Sequence, residues 1–191
     1  MALVYNRLEV KGPLDGPGTD LRQEGASLRR SKLPEDLRDW LNEAELAQFV
    51  DGAVQRVSRA ETTPGRTPVW DIVLGILTYF YATGLYGSDE IEDSLNRNPR
   101  MSHVHTMAFG HAQPAAVLRG FRRANRNAIE LCLVELFRAA LACIRERSRG
   151  YIVDTADPAE IYVDAAPGLL RDEARARVQH AIESDCWALE V

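Results

Sequence analysis

The residues of this 191-residue chain whose types and spacing could do chemistry fall into three groups. His103, His105 and His111 form an H-x-H with a third histidine six residues on. A zinc site needs four ligands in a tetrahedron, and neither a nearby cysteine nor a nearby acid completes this set; His180 is far away in sequence. Asp154, Asp157, Glu160 and Asp164 form an acidic group beside two short strand-forming runs, Tyr151–Val153 and Ile161–Val163. Acids at strand ends hold magnesium in two-metal nucleases. Here they lie in a polar linker, where acids serve solubility. There is no Ser-His-Asp order, glycine-rich phosphate loop or Cys-His pair. The expectation is therefore no catalytic residue, no metal, no cofactor and no small-molecule substrate.

The third group is basic. Arg119, Arg122, Arg123 and Arg126 follow Pro114, with Asn125 and Asn127 interleaved. On one helix they line a face near its start, while Leu118 and Phe121 hold the opposite side to a core. The planar guanidinium gives paired hydrogen bonds to phosphates and to guanine edges. If the chain binds double-stranded DNA, Arg122, Arg123 and Arg126 are expected at phosphates and Arg119 and Asn125 near bases. Asn96 to Arg149 holds ten arginines against three glutamates, so a chain of net charge −5 carries a segment of +7. Fields are read locally, so such a segment can form a positive face. The same arginines also suit the wet side of a long helix.

Several elements must position these groups. Residues 1–31 read as an arm, because KGPLDGPGTD (Lys11–Asp20) packs four turn formers into a polar run. A first helix is expected from Pro34 to about Val57, with Leu37, Leu41, Ala44, Phe49 and Val50 inward. Ala60–Pro68 is a loop. Val69–Thr83 is apolar on nearly all faces and belongs at the centre, ended by a Gly84 cap. A homodimer needs part of that helix to face outward. Ser88 reads as an N-cap, with Asp89 and Glu90 following, for a short helix to about Arg97. Pro114 to about Arg147 reads as one long basic helix ended by Gly150. A last helix, Pro167 to Asp185, reads as charged and mainly surface. The class is all-α, divided as 1–31, a helical domain at 32–150, and a linker with C-terminal helix at 151–191.

Composition fits this reading. Hydrophobic residues are 46% and charged residues 27%, the balance of an ordinary globular protein. Three scattered cysteines make no disulfide framework and suggest a reducing, cytoplasmic setting. MALVYNRLEV lacks a signal-peptide pattern. The longest apolar stretch, Val69–Leu85, is interrupted by Asp71, Thr78, Thr83 and two glycines, so no membrane span is expected.

Gly75 to Met101 (GILTYFYATGLYGSDEIEDSLNRNPRM), continuing at Ala116 to Glu130 (AVLRGFRRANRNAIE), resembles the N-terminal domain of bacterial IS5/IS1182-type insertion-sequence transposases. The resemblance is carried by Tyr81-Ala82-Thr83-Gly84, then Ser88-Asp89-Glu90-Ile91-Glu92. Phe121-Arg122-Arg123 and Asn125-Arg126 follow in order. Leu33–Asp36 and Gly65–Pro68 fit more loosely, and the whole spans roughly residues 33–135. Where the family has a P-D-H-S/T run before its basic helix, this chain has Gly110-His111-Ala112-Gln113-Pro114. The resemblance implies a helix-loop-helix element that engages transposon ends. In the family, cleavage belongs to a separate RNase H-like domain, for which the residues after Gly150 are too few. The functional expectation is a non-catalytic, transposase-derived DNA-binding protein, and its alternative a helical protein-protein interaction module that has lost DNA binding.

Overall fold

The computed structural model describes residues 33–60, 67–97, 113–148 and 167–188. Among them are six α-helices and no strand, so the fold is all-α. The helices are α1 (Glu43–Ala60), α2 (Pro68–Ala82), α3 (Ser88–Arg97), α4 (Ala115–Ala124), α5 (Arg126–Ser148) and α6 (Pro167–Ala188). The histidine triplet at 103–111 and the acids Asp154, Asp157, Glu160 and Asp164 lie outside the described residues, as does the arm.

The helix expected from Pro34 is instead a 3-10 turn, Leu37–Asp39, followed by a fresh start at α1. Two caps explain the division. The Asp36 carboxylate accepts the Arg38 backbone N–H at 2.9 Å and so caps the start of the short turn. Asn42 and Glu45 then form a reciprocal capping box, each side chain accepting the other's backbone N–H at 3.0 Å. From there α1 buries Leu46, Val50, Ala53, Val54 and Val57 at helical spacing.

The central helix is as expected. Pro68 opens α2 with its fixed φ, and every residue from Val73 to Ala82 is buried. Those residues meet the rest of the chain, so they offer no face to a second copy. Gly84, at φ 78°, ends α2 in a conformation that side-chain-bearing residues avoid. The Leu85 N–H returns to the Phe80 carbonyl at 3.0 Å, the outer bond of a Schellman motif.

The single long helix from Pro114 is a second correction. It breaks at Asn125, whose φ of −126° and ψ of 29° are not helical. The Asn125 side-chain amide donates to the Phe121 carbonyl at 3.0 Å, and its oxygen accepts the Trp70 indole N–H at 2.9 Å. An amide that bonds the preceding turn competes with the helix ladder, and here a tryptophan from α2 holds it in that state. Beyond the break, α5 packs against α1, α2 and α6 and buries Ala128, Ile129, Cys132, Leu133, Leu136, Phe137 and Ala140.

The last helix is not mainly surface. Leu170, Ala174, Arg177, Val178, Ala181 and Asp185 recur at helical spacing and are all buried, so α6 contributes a full stripe to the core. Two members of that stripe are charged, which hides it from a reading of apolar periodicity. Among the described residues no helix is long and apolar enough to cross a membrane.

Acid should weaken this fold at its N-terminal end. Burial pulls the Asp36 carboxyl upward, but hydrogen bonds from Arg38 and its charge outweigh this and hold it below its ordinary value. Hydrogen bonds from Arg147, then from Asn42, hold Glu45 low as well. A carboxyl with a depressed folded pKa stabilises fully above the unfolded range, about pH 4, and loses that contribution as pH falls through the folded value. The urea midpoint followed by circular dichroism is therefore expected to fall below about pH 4. Glu45→Gln keeps the capping box but not the charge, so its midpoint should depend less steeply on acid.

Candidate nucleic-acid interface

The five residues assigned to DNA do not share one face. Arg122 points into the core and is only 3% exposed. Its guanidinium forms an ion pair with Asp185 of α6 and donates from Nη1 to the Tyr81 hydroxyl at 2.9 Å. Arg122 is therefore unavailable to a phosphate. Ser88, expected as an N-cap, is the first residue of α3; Gly87 supplies the carbonyl that the Ile91 N–H meets at 2.9 Å. The buried Ser88 donates its backbone N–H and its hydroxyl to the two Asp185 oxygens, each at 2.8 Å. Asp185 thus places an anion at the positive N-terminus of α3, where a helix favours one. Burial pushes the Tyr81 hydroxyl's pKa up, so the group accepting from Arg122 is a neutral phenol.

Arg119 is four-fifths buried at the side chain and reaches Asp89 of α3 at 3.0 Å. Glu92, also on α3, accepts the Ala115 backbone N–H at 2.8 Å. The start of α4, which a helix-loop-helix reading aims at DNA, is therefore covered by acids of the preceding helix. Asn125 is spent on Trp70 and Phe121, and those two rings meet edge to face with centroids 5.6 Å apart.

Two of the five face outward. Arg123 is exposed and makes no ion pair among the described residues. Arg126 is 43% exposed and held by Glu130, its i+4 neighbour, at 2.9 Å. They straddle the Asn125 break, one closing α4 and one opening α5. Beside Arg126 the structure brings residues that the sequence reading did not single out. Arg171 and Arg175 of α6 line a groove of about 330 Å³ with Asn127, Glu130, Leu131 and Val134 of α5. No local spacing could have announced this, because α5 and α6 meet only on folding. The other arginines of the basic segment mostly find acids: Arg97 pairs with Asp93, Arg138 with Glu135 at 2.5 Å, and Arg147 with Glu45.

A second cavity of about 290 Å³ lies against α6, lined by Leu33, Glu35, Tyr86, Glu173, Arg177 and His180. His180 stacks on Tyr86 at 4.4 Å between centroids. Arg177 is 3% exposed, and its donors are spent within the chain, so it is not free to meet a ligand in this hollow. Among the described residues no three His, Cys, Asp or Glu side chains gather as a metal-ligand set.

The contrast between adjacent arginines is testable. Arg122→Ala leaves Asp185 buried without its cation and should lower unfolding free energy by about 3–5 kcal/mol. Arg123→Ala, at an exposed site, should change it by no more than about 0.5 kcal/mol. Urea denaturation of the two variants checks this, and equal effects would contradict the placement. Compared with known proteins, the chain matches no family model, no curated protein and no solved structure.

Proposed function

We propose that the chain is a non-catalytic DNA-binding protein of transposase origin that contacts the duplex through Arg123 and Arg126. The observation that carries this reading is the exposure of both guanidinia on either side of the Asn125 break. Arg123 has no competing ion pair among the described residues, and Arg126 has a half-buried i,i+4 pair with Glu130 and a long contact of 3.5 Å to Gln179. Glu130 engages Arg126 through Nε, so the Nη groups of its half-exposed side chain can meet a phosphate while the pair stays in place. The ordered blocks Tyr81–Glu92 and Phe121–Arg126 support the transposase origin by resemblance. Arg122 and Asn125 serve the scaffold, and Arg119 serves the α3–α4 contact.

A specific observation favours the alternative reading of a helical interaction module. Arg97, Arg119, Arg122, Arg126, Arg138 and Arg147 are all matched by acids of the same chain, which removes much of the local field. On α4, Val117 is 44% exposed next to Ala116 and Gly120, which are also exposed, a face on which another helix could approach closely.

Fluorescence anisotropy with duplex DNA across a salt series separates the two. Wild type should bind at low salt, and Arg123→Ala/Arg126→Ala should lower the log–log salt slope by about two, at roughly 0.9 per phosphate contact. A wild-type protein that stays unbound at low salt rejects DNA binding and leaves the interaction module.

A further inference from the structure

We infer that the groove between α5 and α6, lined by Arg171, Arg175 and Asn127, is a subsite for a backbone phosphate of the same DNA duplex, so that the C-terminal helix takes part in the interface. The inference rests on the DNA-binding reading above and extends it to residues that reading does not use.

Three facing positions set the geometry. Arg126 Nη2 lies 3.5 Å from Gln179 Oε1, and Arg175 Nε lies 4.0 Å from Glu130 Oε2. Val134 and Arg171 line the same groove. Residue numbers rise along α5 as they fall along α6, so the two helices run antiparallel here. Arg126, Arg175 and Arg171 therefore follow one seam, the last two a helical turn of about 6 Å apart.

The charges along this seam are unequally matched. Glu130, 19% exposed at its side chain, is shared by Arg126 at 2.9 Å and Arg175 at 4.0 Å. The other acid near Arg175 is Asp172, 72% exposed and 3.9 Å away, at the outer limit of an ion pair. Arg171 is exposed and has no ion pair among the described residues. Three guanidinia thus face one partly buried carboxylate and one loosely placed acid. That excess of positive charge suits an anion, and a tetrahedral oxyanion accepts from two guanidinia and an amide at once.

The lining narrows the choice of anion. Leu131, 37% exposed, and Val134, buried, add apolar lining to the groove beside its two arginines. A phosphodiester with its sugar presents that combination, charged oxygens and a C–H face.

The test is anisotropy with duplex DNA across a salt series, comparing wild type with Arg171→Ala/Arg175→Ala and with Arg171→Lys/Arg175→Lys. Both arginines are exposed, and circular dichroism checks that each variant is folded. The alanine pair is expected to reduce the salt slope by about two, and the lysine pair to retain it, because each ammonium still displaces counterions. If wild type binds and the alanine pair keeps the full slope, the subsite is overturned while DNA binding through Arg123 and Arg126 stands. If wild type does not bind at low salt, the DNA reading and the subsite fall together.

Discussion

Two opposite charges on α6, buried in the core, organise the rest of the molecule. Arg177 donates to the carbonyls of Tyr81 and Ala82 at the C-terminus of α2, and to those of Pro34 and Glu35. Asp185 accepts the Ser88 N–H at the N-terminus of α3. Each charge meets the helix end of opposite polarity, where the macrodipole and the unpaired backbone groups reinforce one another. The turn joining α2 to α3 is thereby gripped from both sides, and Tyr86 within it stacks on His180 of the same helix. Arg177 also lies 5.1 Å above the Phe137 ring, which ties α5 into the arrangement.

Burying charge has consequences for the neighbouring groups. A guanidinium deprived of water needs partners for its donors, and a carboxylate needs donors for its oxygens. Arg122 and Asp185 satisfy most of each other's requirement, with Ser88 and Tyr81 completing it, except that Arg122 Nε has no acceptor. Such a network adds modestly to net stability but responds steeply to loss of one member. The interior therefore depends on having both charges in place, and α4 is oriented by the side chain that links it to α6.

Much of the fold is legible in the sequence where local chemistry decides it. The uniformly apolar Val69–Thr83 run, its proline start and its Gly84 stop locate the central helix within a residue or so. The boundaries that fail are those set by tertiary partners. Asn125 breaks a helix whose apolar stripe continues across it, because an indole from α2 holds the side-chain amide. The α6 stripe is concealed because Arg177 and Asp185 occupy two of its positions. For the interface, type and spacing identify a cluster of arginines but not their directions. Arg122 and Arg123 are neighbours, yet one faces the core and the other water, and what separates them is Asp185, sixty-three residues further on. Arg171 and Arg175 escape notice for the converse reason, since they join the basic seam only after α6 packs on α5.

Arg122 belongs to the core through Asp185 rather than to a DNA surface. A double-mutant cycle with Arg122→Ala, Asp185→Ala and the combined variant, measured by urea unfolding, addresses it most directly. A buried, mutually satisfied pair predicts that the double variant is more stable than the sum of the single losses implies, by about 2 kcal/mol or more. Losses that add to within about 0.5 kcal/mol would mean that the two side chains act independently, and the account of the core would be wrong.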